Sequence, residues 1–192
     1  MFSQNQEETA VLAACNGVGR FLDIGAWNAK DKSNVRALYE RGWSGVLIEP
    51  SPEPFAGLQA EYDGDPRINL LNVAVGLEPG IIAMHVTADA CSTSDTATFE
   101  KWQHIVNYTG VLQVQAITLE DVYDQHGPFD MVSIDAEGVS VDLLHRLFDL
   151  GHFPKCIVVE HDGRTTEALS HATECGYACT MANGENLVLV KR

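Results

Sequence analysis

Basic residues are scarce in this sequence. Twelve Lys and Arg stand against 27 Asp and Glu, a formal charge of -15. A grip on nucleic acid or on an anionic membrane surface needs clustered basic side chains; none occur, so neither partner is expected and a small molecule is the default. Long apolar runs are missing as well, since nowhere do roughly 18 apolar residues follow one another, the length a membrane span requires. The opening MFSQNQEETA shows no basic region followed by an apolar core, so no signal peptide is expected. Cysteine is sparse and unpatterned. The five (Cys15, Cys91, Cys156, Cys175 and Cys179) are odd in number and lack a CxxC spacing, which argues against a zinc ribbon or a disulfide framework. A reducing, cytoplasmic setting is the expectation.

What is present reads as an alternating α/β chain, 192 residues long and 45% hydrophobic, which suits a single domain over 1–192. A leading helix within 1–19 runs from Glu7 to Cys15 and closes at Gly17. Phe21 to Gly25 is a buried strand, and Val35, Leu38 and Tyr39 recur at helical spacing between Lys32 and Arg41. Gly45 to Glu49 is a second strand; Ser51 caps the next helix, with Pro52 at its first position and Phe55, Leu58 and Tyr62 on one face. A third strand covers Ile68 to Gly76. The alternation then breaks over 77–117, where Ile81 to Thr87 and Val111 to Ile117 form an inserted hairpin around a polar loop carrying Phe99, Trp102 and Ile105.

Alternation resumes with a capping box at Thr118 and Asp121, strand Met131 to Asp135, helix Ser140 to Leu150, strand Cys156 to Glu160 and a helix from about Thr166 to Cys175. YACTMA and NLVLV face each other across Asn183-Gly184, a two-residue hairpin signal. Five strands alternating with helices demand a parallel sheet covered on both faces. The terminal hairpin adds two strands, at least one antiparallel. The fold class is therefore a Rossmann-like, seven-stranded, mostly parallel sheet with a C-terminal antiparallel hairpin and an inserted β-hairpin after strand three.

In such sheets ligands bind beyond the carboxyl ends of the strands. Strand one ends in Asp23-Ile24-Gly25-Ala26, where Gly25 lets backbone approach a ligand and Asp23 can orient the following amides or hold an ammonium group. Glu49 ends strand two 24 residues after Gly25, close to the ~20-residue offset at which an acid accepts two ribose hydroxyls. The remaining glycines of a G-x-G-x-x-G fingerprint are absent, because the stretch reads G-A-W-N-A-K. A pyrophosphate is disfavoured where Trp27 and Asn28 carry side chains. A ribose-and-adenine cofactor without phosphate fits better, and S-adenosylmethionine is the common one. A nucleotide-dependent oxidoreductase is the weaker enzyme alternative, and a non-catalytic binding or scaffold module is the alternative from another class.

The blocks FLDIGAWNAKDKSN, GWSGVLIEPSPEPFAGL, NVAVG, ITLEDV, SIDAEG and IVVEH, in this order, resemble the FkbM-type S-adenosylmethionine-dependent methyltransferases over roughly Phe21 to Asp162. IEPSP and DAEG are the most specific blocks. The resemblance implies the seven-stranded methyltransferase fold and O-methylation of a hydroxyl on a small acceptor, such as a sugar or a polyketide-like metabolite. Asp23, Gly25 and Glu49 match residue by residue, whereas the family more often has Asn-x-Gly where this chain has Trp27, Asn28 and Ala29. The expected cofactor-binding set is Asp23, Gly25, Ala26, Glu49, Pro50, Ala74 and Asp135, with Ala74 beside adenine.

Strands four and five end in IDAEG and VEHDG, bringing Asp135, Glu137, Glu160, His161 and Asp162 to adjacent strand ends. Acids held close repel unless one is protonated or a cation lies between them. Asp135, Glu137 and His161 are the expected catalytic groups, and Asp135, Glu160 and His161 the expected ligands of a Mg²⁺-type ion that would lower the pKa of an acceptor hydroxyl. The alternative is that Asp135 and Glu137 simply bond loop amides and cap the next helix. The loop around Ala90, Cys91, Ser92 and Thr93, with Trp102 and Tyr108, is expected to shape the acceptor pocket.

Overall fold

The computed structural model describes residues 1–87 and 92–192. Its main sheet has seven strands in the order β3-β2-β1-β7-β8-β10-β9. These are β1 (Arg20–Ile24), β2 (Ser44–Ile48), β3 (Ile68–Leu71), β7 (Met131–Ile134), β8 (Cys156–Glu160), β9 (Tyr177–Ala182) and β10 (Asn186–Lys191). The first five run parallel, and β10 lies antiparallel to both β8 and β9. The chain winds outward from β1 to β3 and then returns to the other side of β1 as β7, so the topological switch point lies between β1 and β7.

Both faces of the sheet are covered because both faces of its central strands are apolar. On one face Leu22, Ile24, Val132, Ile134 and Ile157 join a core with α5 (Leu119–His126), α6 (Ser140–Asp149) and α7 (Thr165–Glu174). On the other, Phe21, Leu47, Met131 and Val158 pack with α1 (Glu7–Ala14), α2 (Arg36–Tyr39) and α3 (Pro52–Tyr62). Successive side chains of a strand point to opposite faces, which is why Phe21 and Leu22 enter different cores. Every residue of β7 is buried.

Three elements differ from the sequence expectation. The helix expected over Lys32 to Arg41 is one turn, α2. Ahead of it the Asn28 side chain accepts the amides of Lys30 and Asp31, both at 2.9 Å, and Ser33 Oγ accepts that of Arg36 at 3.1 Å. Such side chains offer the backbone partners that compete with a helical ladder. The third strand is split in two. The Asn72 side-chain amide donates to the carbonyls of Glu49 (2.8 Å) and Pro50 (3.1 Å), and beyond it β4 (Ala74–Gly76) leaves the main sheet. The closing hairpin turns across Gly184-Glu185, because the Asn183 side chain accepts the amides of Glu185 and Asn186.

The inserted segment makes a second sheet in which β4 runs parallel to β6 (Tyr108–Thr118) and β5 (Gly80–Thr87) runs antiparallel to β6. Ala74, Met84, Val114 and Ala116 form its buried face. The short helix α4 (Thr96–Trp102) follows, capped by Asp95, and lays Phe99 flat on His85 with ring centroids 3.7 Å apart. Ile105, expected on the same apolar face, is 77% exposed. Thr118 and Asp121 complete the expected capping box of α5. Among the described residues no helix is long and apolar enough to cross a membrane.

Candidate functional site at the switch point

A cleft of about 430 Å³ opens where the ends of β1, β2, β7 and β8 face the smaller sheet. At its floor the chain leaves β1 through Gly25, whose φ of +81° suits glycine. The Gly25 and Ala26 amides both donate to the Ile48 carbonyl at 3.0 Å. A Cβ at position 25 would lie 1.8 Å from the Asp135 carbonyl oxygen, so only glycine lets the loop pass this close to the end of β7.

Glu49 faces that loop and is 5% exposed. Its Oε2 accepts the Trp27 amide at 2.9 Å and its Oε1 the Ser51 amide at 2.7 Å. Burial pushes its carboxyl above the ordinary value, and the Ser51 and Trp27 amides and the Ser51 hydroxyl pull it back. Each carboxylate oxygen has about two acceptor sites; the two amides and the Ser51 hydroxyl take three of them, so one stays open for a ligand hydroxyl and a second opens when the Ser51 hydroxyl turns away. Ser51 makes no side-chain cap on α3; its hydroxyl and its amide both serve Glu49. Gly25, Ala26, Pro50 and Ala74 line the same cleft.

Asp23 lies beneath the loop rather than in the cleft wall. It is 4% exposed and hydrogen-bonds to Ser133, whose Oγ also accepts the Asn34 side-chain amide at 3.2 Å. Burial, against that bond and with the charges of Asp135 and Glu49 adding to it, pushes its carboxyl up to about 7.

The opposite end of the cleft is acidic. Asp135, Glu137 and Glu160 line it, and one carboxylate oxygen from each lies within 4.8 Å of the others. Glu160 Oε2 is buried with no N–H or O–H donor in reach among the described residues, and its charged neighbours are Asp135, Glu137 and Asp162. Burial and that company raise the Glu160 carboxyl far above the usual range, while burial raises Asp135 less. One proton held by Glu160 and shared with Asp135 accounts for the closeness of this pair, as like charges a few ångströms apart do not both ionise.

His161 and Asp162 stand outside both the cleft lining and this cluster. His161 is 8% exposed; its Nδ1 accepts the Gly163 amide at 3.1 Å, which leaves Nε2 to donate to the Asn183 carbonyl at 3.3 Å. Asp162 accepts the amides of Gly138 (3.0 Å) and Ser140 (3.2 Å). The two hold the hairpin tip and the DAEG turn in place. The inserted segment closes on the same turn, because Thr93 Oγ donates to the Glu137 carbonyl at 2.9 Å and a Cβ on Gly138 would lie 2.6 Å from that of Asp95. Ser92 and Thr93 line the cleft, whereas Trp102 and Tyr108 do not; Ala90 and Cys91 fall outside the described residues.

Sequence reasoning passed over Asn72, which clamps the end of β2, and Glu185 and Asn186, which reach the cleft from the closing hairpin. None carries a local signal, since each acts across a contact that only the folded sheet creates. Trp27 was visible as a departure from the family pattern, but not as a cleft wall.

The methyltransferase FkbM domain matches residues 23–179. The chain belongs to this family. Family membership implies, in general, S-adenosylmethionine as the source of the methyl group. No curated protein matches the chain. Among solved structures it is similar to a methyltransferase FkbM from Methylobacillus flagellatus (TM-score 0.62, 13% identity), covering 98% of this chain and 48% of that one. It thus spans about half the length of that relative. A precorrin-6y C5,15-methyltransferase from Geobacter metallireducens matches over 100% of this chain and 93% of its own (TM-score 0.56, 12% identity). A ribosomal protein L11 methylase from Lactobacillus delbrueckii matches over 97% and 77% (TM-score 0.52, 12% identity). At these identities the likeness is one of fold: a Rossmann-like methyltransferase sheet.

Proposed function

We propose that this protein binds S-adenosylmethionine in the switch-point cleft and transfers its methyl group to a hydroxyl of a small acceptor. The observation that carries the reading is the pairing, across one cleft, of a carboxylate held by two backbone amides with acceptor capacity left for a hydroxyl (Glu49) and a half-buried carboxylate beside a proton-bearing partner (Asp135 with Glu160). When bound, the cofactor supplies an electrophilic methyl group on a positively charged sulfur, for which an oxygen must be aligned and relieved of its proton.

The residues divide that work. Glu49, held by two amides, accepts one ribose hydroxyl at its open site and a second as the Ser51 hydroxyl turns away. Asn72 fixes the backbone of Glu49 and Pro50, so the acid keeps its direction. The apolar patch of Pro50, Ala74 and Met84 suits a flat base. Glu160 holds a proton, and this leaves Asp135 ionised to accept the acceptor's hydroxyl proton at a carboxylate oxygen. Glu137, its backbone tied to Thr93, stands beside the acceptor's route in.

Calorimetric titration with S-adenosylmethionine, S-adenosylhomocysteine and NAD tests the reading. Micromolar binding of both adenosyl compounds and none of NAD is expected, followed by a methylated product from a panel of sugars and polyketide-like alcohols. Binding of NAD alone would turn the reading to an oxidoreductase; tight cofactor binding without any product would turn it to a binding module. Loss of turnover on chelation, restored by Mg²⁺, would put a cation among Asp135, Glu137 and Glu160. Turnover indifferent to chelation leaves the shared proton as the account of that cluster.

A further inference from the structure

We infer that Trp27 is the cation-binding wall of the cleft, its indole face receiving the positively charged sulfur end of the methyl donor. The inference rests on the cofactor reading above and extends it to a residue at which this chain departs from its family's pattern.

Four observations converge on the side chain. Trp27 sits in the left-handed region, with φ of +37°, a conformation that bulky side chains adopt only when their surroundings impose it and one that gathers at functional sites. Its amide is held there by Glu49 Oε2 at 2.9 Å, so the residue proposed for the ribose also sets the indole. Trp27 lines two hollows at once, the cleft and a neighbouring one bounded by Lys30 and Glu53. A cation already lies over it: Lys32 Nζ is 5.5 Å from the ring centroid, within the range of a cation–π contact.

The position along the cleft matters as much as the ring. Residues 25–27 bridge the end of β2, where Trp27 bonds Glu49, and the end of β7, where Gly25 packs against the Asp135 carbonyl. A ligand with its ribose at Glu49 and its reactive end at Asp135 must cross this loop. The group that crosses it in a methyl donor is a sulfonium, and an aromatic face attracts such a charge more strongly as water is excluded. Lys32, itself in the left-handed region with φ of +61°, is the one basic side chain lining the cleft among the described residues, and it occupies the surface that the ligand's cation would take.

The test compares S-adenosylmethionine with S-adenosylhomocysteine, which lacks the sulfur charge, on the wild-type protein and on Trp27→Phe and Trp27→Leu, by calorimetry and by quenching of tryptophan fluorescence. The ratio Kd(S-adenosylmethionine)/Kd(S-adenosylhomocysteine) should rise roughly two- to thirtyfold in Trp27→Leu, the span of a cation–π contact from exposed to desolvated, with Trp27→Phe in between. An unchanged ratio, or equal loss of both ligands in either variant, would assign Trp27 a purely structural role and overturn the inference. Failure of S-adenosylhomocysteine to bind even the wild-type protein would instead overturn the cofactor reading on which it rests.

Discussion

Two glutamates end neighbouring parts of the same sheet and meet opposite fates. Glu49, after β2, is buried but receives two backbone amides, one on each oxygen. Glu160, at the end of β8, is half-buried, with an oxygen that no donor among the described residues reaches and with acidic neighbours in Asp135, Glu137 and Asp162. A carboxylate in the first setting keeps its charge and its direction and is ready to accept hydroxyls. In the second it holds its proton, because neither solvent nor a donor offsets the charge. Residue type and position at a strand end are shared. The difference lies in the backbone amides, which the loops after β1 and β2 turn toward Glu49.

The largest break in this comparison should come from Asp135, the partner that Glu160 leaves ionised. Asp135→Asn is expected to lower turnover by roughly 10²–10⁴ while cofactor affinity stays within about threefold; full activity in an acceptor assay would remove Asp135 from the chemistry. Next comes Glu49→Ala. Losing a hydroxyl bond to a charged acceptor, worth about 1.5–3 kcal/mol, should weaken S-adenosylmethionine by roughly 10–100-fold in calorimetry, and an unchanged Kd would place the ribose elsewhere.

Asp23, under the loop that joins the two ends, offers a third case. Its folded carboxyl is raised to about 7 from the ordinary 3.8, so the folded state binds the proton more tightly than the unfolded chain. Its contribution is fully present below about 4 and is lost as pH rises through about 7. Asp23→Asn should therefore be more stable than wild type at pH 8, by up to about 4 kcal/mol, and show little gain at pH 4 in urea denaturation. An equal effect at both pH values would mean that Asp23 is ionised in the fold.

The smallest effect sharpens the contrast most directly. Glu160→Gln replaces a neutral group by a neutral one and should leave the melting temperature within about 2 °C. Glu49→Gln, which sets an amide N–H against a backbone N–H, should cost about 1–2 kcal/mol, visible as a fall of several degrees. Equal shifts in the two variants would erase the distinction between the glutamates.

Much of this architecture was legible along the chain. Strand Cys156–Glu160 coincides with its expected limits, and the capping box at Thr118 and Asp121 forms as written, because both depend on neighbours in sequence. The split of the third strand was not legible: Ile68 to Gly76 is apolar throughout, and only the Asn72 amide, bonded to carbonyls on another strand, shows where the chain changes sheets. The same holds for VEHDG. His161 and Asp162 look as reactive as Glu160 on paper, yet they stand outside the cleft lining, where His161 bonds Gly163 and Asn183 and Asp162 holds the amides of Gly138 and Ser140.

Periodicity, turn residues and the order of strand-ending acids thus suffice for the fold class and for which strand ends carry carboxylates, since these follow from local preference and from the rules of parallel sheets. Which carboxylate holds a proton, which strand-end residues line the cleft and how Trp27 is set are matters of three-dimensional packing. Each depends on whether a backbone amide, a like charge or a protein wall stands within a few ångströms, and several of those neighbours come from far along the chain, as Trp27 to Glu49 and Thr93 to Glu137.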